Sequence, residues 1–195
     1  MKHTVLILLG GLLLLGACTN KQAKPVVTVE KSDVDKLAEA YQKQDWETVV
    51  AIGDRLIADN DTMNLTVPYA EALAATGNPR KALTLLDKKL ESEPQNYYLY
   101  QTKGNVYYSM EKFDSALINY EKVIDMKPTY ARPYIYEAHI YELLGDNERA
   151  VVNYLAAARL FEANDFITEK IELARKVLEL DSTNYDAKEI LGIKQ

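Results

Sequence analysis

The chain has one cysteine, Cys18, and two histidines, His3 and His139, among 195 residues. A single cysteine excludes an internal disulfide. His3 stands at the very start, so His139 is the one imidazole within reach of a folded site. Zinc sites and Cys/His or Ser/His catalysis therefore lack parts. HExxH, GxSxG and glycine-rich phosphate loops are missing as well. The expectation is no enzyme, no metal and no cofactor. An excess of basic charge is also lacking. Lys and Arg number 23 against 29 Asp and Glu, for a net charge of -6 and a pI near 5.1. Nucleic-acid binding, which needs a basic face to displace counterions, is excluded as a class. The apolar run Val5 to Leu15 has 11 residues, against the roughly 20 of a membrane-spanning helix. Phenylalanine and tryptophan are scarce, at 3 and 1, whereas tyrosine is plentiful at 14.

The short apolar run lies behind Lys2 and ahead of small residues, which is the layout of a signal peptide over residues 1–17. Leu15-Gly16-Ala17-Cys18 resembles a bacterial lipobox. That resemblance implies cleavage before Cys18 and a diacylglycerol on its thiol. Each acyl CH₂ buried in a bilayer contributes about 0.8 kcal/mol to anchoring. The resemblance implies a place in the cell envelope, and Thr19, rather than Asp, after the cysteine favours the outer membrane where the cell is Gram-negative. A plain secretory signal is the alternative. Residues 18–31 read as a polar tether, with Val26-Val27-Thr28-Val29 as a strand that pairs with a partner in the alternative reading.

From Ser32 onward the apolar periodicity is helical. Ala75-Thr76-Gly77-Asn78, Ser109-Met110-Glu111-Lys112 and Leu143-Leu144-Gly145-Asp146 break it at one constant interval, from 75 to 109 to 143. Ala82, Ala116 and Ala150 keep that interval, and so do Pro94 and Pro128. A fixed period of this size means a stacked array, because no single unit can bury its apolar face alone.

The period and residue types resemble the tetratricopeptide repeat. Unit 97–130 supplies Tyr100, Gly104, Tyr107, Ala116, Tyr120 and Pro128 at its pattern positions. Unit 131–164 supplies Tyr134, Ala138, Tyr141, Ala150, Tyr154 and Ala157, with Glu162 where proline belongs. Unit 63–96 supplies Ala70, Ala82 and Pro94, with Lys89 as a misfit. A weaker unit covers about 30–62, its second helix opened by Trp46. Lys103 and Glu137 put charge where the pattern prefers leucine. The resemblance implies an all-α fold over 32–195, a right-handed α-solenoid of helix-turn-helix repeats. Beyond it, residues 165–193 read as an extra helix and a short C-terminal capping helix, with Leu178-Glu179-Leu180-Asp181 like the end of a second repeat helix out of period.

By the same resemblance the first helix of each unit lines a concave face. The stripe is Tyr98, Gln101, Asn105 and Tyr108 in unit 97–130. It is Arg132, Ile135, His139 and Glu142 in unit 131–164, with Tyr136 beside them, and Asn64, Val67, Glu71 and Ala74 in unit 63–96. Spacings of three and four keep each set on one helical face. Tyr100, Tyr107, Tyr120, Tyr134, Tyr141 and Tyr154 are expected in the core. Tyr98, Tyr108 and Tyr136 fall off the packing pattern, and tyrosine is favoured where an apolar ring meets a wet edge. The family's carboxylate clamp does not carry over, since Val67 and Glu71 replace its Lys and Asn and leave Arg132 alone. Sequence thus points to a protein or peptide partner held in a groove and a membrane held through the N-terminal lipid. A glycan or small molecule stacked on the tyrosines is the alternative.

Overall fold

The computed structural model describes residues 31–57, 65–162 and 166–193. Cys18, the signal-peptide and tether assignments, and Asn64 lie outside them. The described residues form helices α1 (Lys31–Gln42), α2 (Trp46–Ile57), α3 (Thr66–Ala75), α4 (Pro79–Ser92), α5 (Tyr97–Ser109), α6 (Phe113–Met126), α7 (Ala131–Leu143), α8 (Asn147–Glu162), α9 (Ile167–Leu180) and α10 (Tyr185–Ile190). The expected all-α solenoid is what folds: α1/α2, α3/α4, α5/α6 and α7/α8 are four consecutive helical hairpins, each packed on the next.

Each hairpin turns in the same way. The first helix ends in a left-handed residue: Gln44, Gly77, Glu111 and Gly145, with φ of 56°, 81°, 57° and 75°. The next residue's N–H then bonds back across the turn, Asp45 to Ala40, Asn78 to Leu73, Lys112 to Tyr107 and Asp146 to Tyr141, at 2.7–2.9 Å. This is the Schellman closure, which satisfies carbonyls the helix leaves open. Asp45 and Asp146 then cap the following helices through Thr48 and Arg149 N–H.

Small residues set how close the two helices of a hairpin come. Ala70, Ala82, Ala116, Ala138 and Ala150 are fully buried. At Gly104 an added Cβ would lie 2.5 Å from the Tyr120 ring, so glycine there is what admits the tyrosine. Tyr120 and Tyr154 are fully buried, as expected of core tyrosines. Tyr100, Tyr107, Tyr134 and Tyr141 are only half-buried. Their outer faces carry cations or turns: Lys122 stands over Tyr100 at 5.1 Å, Arg149 over Tyr141 at 4.3 Å, and the Tyr134 hydroxyl donates to the Pro128 carbonyl at 3.1 Å. Lys89 occupies a position that is fully buried as Val123 and Ala157 in the next units. Its stem packs inside and its ammonium reaches Glu93 at 2.9 Å.

The C-terminal pair departs from the period in an instructive way. The α9-to-α10 turn repeats the bonds of the α6-to-α7 turn. Asp181 N–H bonds to Val177 O and Asn184 to Asp181 O, as Lys127 bonds to Val123 and Tyr130 to Lys127. Ala174 and Val177 bury the positions held by Tyr120 and Val123 in α6. Helix α9 is therefore built like a second repeat helix that follows another second helix directly, and it lies along α8 as extensively as hairpin partners lie on each other.

Candidate functional site

The first helices α3, α5 and α7 carry the stripe residues, and tyrosine hydroxyls from neighbouring helices organise them. Tyr120 on α6 donates to Asn105 Oδ1 at 2.8 Å, and Tyr154 on α8 donates to Glu142 Oε2 at 2.9 Å. Tyr41 on α1 donates to Glu71. Burial first, and then Glu71, push the Tyr41 hydroxyl up to about 12. Burial raises the Tyr120 and Tyr154 hydroxyls as well. All three stay protonated donors at neutral pH. Three acceptors of the stripe are thus held in place by hydrogen bonds, two of them charge-assisted, a kind worth about 1.5–3 kcal/mol each.

At the α3–α5 end, Tyr98 is 53% exposed. Asn96 caps α5 by accepting from Tyr98 N–H at 3.1 Å, and the Tyr98 ring leans on Tyr97 with centroids 4.1 Å apart. Tyr98 lines a cavity of about 410 Å³ with Thr66, Val67, Lys89, Glu93, Asn96 and Leu99. Val67 and Tyr98, assigned from separate units, therefore share one wall. In the middle, Tyr136 stacks on Tyr120 at 5.1 Å with 16° between the rings. Tyr108 and Tyr136 both pack a face against the cluster around Ala116, Tyr120 and Ile140 and keep the other face partly open. Gln101 places its amide beside the Tyr130 hydroxyl, and its Oε1 is shielded from solvent with no donor.

At the α7 end Arg132 and His139 are exposed, while Ile135 is half-buried against the α7–α9 core. The His139 ring lies 5.6 Å from that of Tyr154. Partial burial lowers its pKa, with Glu142 opposing and Lys176 assisting, so it is neutral at pH 7. Glu142 closes the stripe. Lys176 reaches it from α9 at 2.7 Å, and this bond leads in holding its carboxyl below the usual range. Lys176 has no counterpart in the repeat pattern, because α9 is out of period. Lys89, within α4, and Glu93 and Asn96, at the turn that follows it, were likewise missed; neither place gives a hint that they wall a cavity. Among the described residues no group of three or more His, Cys, Asp and Glu is placed to hold a metal, and no helix is long and apolar enough to cross a membrane.

The tetratricopeptide-repeat family profile matches residues 97–130. The anaphase-promoting complex subunit CDC16 of Saccharomyces cerevisiae is 24% identical over 130 residues, 66% of this chain and 15% of that protein. The chain thus spans about a seventh of that relative's length. Among solved structures, a thermophilic TPR protein of Thermus thermophilus superposes with a TM-score of 0.59 at 16% identity, covering 85% of this chain and 98% of the other. PcrH, solved in complex with the chaperone binding region of PopD, superposes with a TM-score of 0.56 at 15% identity over 63% of this chain and 92% of its own. Together with the helical hairpins, these likenesses establish the fold as a solenoid of tetratricopeptide repeats.

Proposed function

We propose that this protein is a lipid-anchored adaptor of a bacterial envelope that docks an extended protein segment along α3, α5 and α7. The carrying observation is the row of acceptors, Glu71, Asn105 and Glu142, fixed by Tyr41, Tyr120 and Tyr154 beside the half-open rings of Tyr98, Tyr108 and Tyr136. Acceptors spaced along a groove suit backbone N–H groups and basic side chains. The cavity beside Tyr98 suits one apolar side chain, with Val67 and Leu99 in its lining. Pre-positioned side chains lower the ordering cost of binding. PcrH, of the same fold, was solved with a protein segment, and CDC16 is a subunit of a larger complex; both support an interaction role. The glycan reading has less support. Gln101, one of its two carboxamides, has its Oε1 shielded from solvent.

The anchor rests on the lipobox Leu15-Gly16-Ala17-Cys18, and Thr19 favours the outer membrane. Palmitate labelling of cells making the wild type or Cys18→Ala tests it. The wild type should take label, and the variant should accumulate as unlabelled precursor. Equal labelling of both would remove the anchor from this reading. For the groove, the full chain is used as bait in solubilised envelope beside a Tyr98→Ala, Tyr108→Ala, Arg132→Glu variant. A protein retained by the wild type and lost by the variant is the expected result. Identical captures on both baits would move binding off the groove.

A further inference from the structure

The repeats meet through one recurring pair of positions. A residue near the middle of each first helix faces a residue on the second helix of the preceding unit. Between α2 and α3 the pair is Tyr69 and Asp54: the Tyr69 hydroxyl donates to Asp54, and Lys81 joins it at 2.6 Å. Between α4 and α5, one period on from Tyr69, the pair is Lys103 and Asp87, an ion pair. A further period on, between α6 and α7, it is Glu137 and Glu121: two carboxyls, with Glu137 only 9% exposed.

Each of the first two junctions has a cation on its acid; the third has none among the described residues. On α6, Lys122 is turned to the Tyr100 ring of α5. On α5, Lys103 is taken by Asp87. On the α8 side, Arg149 lies over Tyr141, one turn along from Glu137, and is bonded to Asp146 at 2.6 Å. On α7 itself Tyr134 is near, but its hydroxyl donates to Pro128 O. A buried carboxylate beside another carboxylate is expensive, and a neutral carboxyl in the same place is not.

We propose that the α6–α7 junction is a proton-operated joint, packed tightly while Glu137 carries its proton and loosened when Glu137 and Glu121 are both ionised. Burial, with Glu121 second, lifts the Glu137 carboxyl from the ordinary 4.5 to about 7. Because the folded value is the higher one, the stability due to the neutral form is complete below about 4.5 and is lost as pH rises through about 7. The joint therefore works across the neutral range. Tyr98 to Tyr108 lie on one side of it and Arg132 to His139 on the other. Looser packing would weaken a segment bound across both. That consequence rests on the groove reading; the joint does not, and its test uses no ligand.

The test is the Tm of the full chain in mild detergent at pH 5.5 and pH 8.5, with Glu137→Gln, Glu121→Gln and Glu121→Lys beside the wild type. The wild-type Tm should be lower at pH 8.5, by about 5 °C or more. Glu137→Gln should at least halve that drop. So should Glu121→Lys, which restores at this junction the cation that Lys103 supplies at the one before it. Glu121→Gln should reduce the drop by less, since burial is the larger cause. Parallel pH profiles for the wild type and all three variants would overturn the proposal. Should Glu137→Gln fail to fold, Glu121→Lys decides alone. A carbon-13 titration of the Glu137 carboxyl gives the direct reading: a midpoint near 7 supports the joint, and one between 4 and 5 ends it.

Discussion

At the α4–α5 junction a lysine meets an aspartate; at the α6–α7 junction, one repeat further on, a glutamate meets a glutamate. The two junctions are otherwise alike. Each has an alanine or glycine at the close approach, an aromatic or leucine filling the layer, and the same bonds through its turn. One residue of difference at equivalent positions, lysine or glutamate, separates an ion pair from two neighbouring carboxyls, and by the proposal above a joint indifferent to neutral pH from one that responds to it. The lesson concerns repeat proteins in general. The backbone scaffold fixes which positions face each other, and the side chains at those positions then set the local response to conditions. A solenoid's stability is near a sum of unit and interface contributions, so one interface can be made pH-sensitive while its neighbours stay indifferent.

Making the first junction resemble the second is the largest test of this comparison. Lys103→Glu removes the cation from Asp87 and places a carboxylate on a site where the lysine stem is mostly buried, 18% exposed. Asp87 is open to water, so screening limits the repulsion. The expected loss is about 1–2 kcal/mol at pH 8, mainly from desolvating the new carboxylate. The sign with pH follows from its raised folded value. The loss should shrink as pH falls toward 5 and the group takes up a proton, opposite to the usual course of acid denaturation. Urea unfolding of the wild type and the variant at both pH values measures it. A loss independent of pH would mean that the two junctions differ by more than charge.

How much of this was legible beforehand varied with the kind of information. The hairpins were readable because Ala82, Ala116 and Ala150 repeat where helices must touch, and Gly77 and Gly145 repeat where the chain must turn. Tyr120 and Tyr154 were readable as core for the same reason. Tyr100 and Tyr141 follow the pattern yet stay half-buried, with Lys122 and Arg149 standing over their outer faces. The stripe residues were readable as positions but not as a network. That Asn105 serves Tyr120 and Glu71 serves Tyr41 depends on which helix lies across from which, a contact separated by 15 residues in one case and 30 in the other. Glu137 is legible as a charge out of place. Glu121 is not legible as its neighbour, because the facing position is defined by the contact between Lys103 and Asp87 one repeat earlier. Lys176 was hidden because α9 breaks the period that gave every other residue its address.

The hairpin turns of the same two repeats offer a finer contrast. Gly145 ends α7 in the left-handed region at no steric cost, whereas Glu111 ends α5 at φ 57° with a side chain attached. Left-handed backbone costs a residue with a Cβ roughly 1–2 kcal/mol, and glycine gives part of that back as unfolded-state entropy. Glu111 is exposed and its side chain takes no part in the turn's bonds, which run from Glu111 N–H to Tyr108 O and from Lys112 N–H to Tyr107 O. Glu111→Gly should therefore stabilise the fold by about 0.5–1 kcal/mol, raising Tm by about 1–4 °C. Gly145→Glu, its mirror in the next repeat, should lower Tm by a similar amount. If both substitutions shift Tm in the same direction, the two turns are not equivalent and the register that pairs Lys103 with Glu137 loses its support.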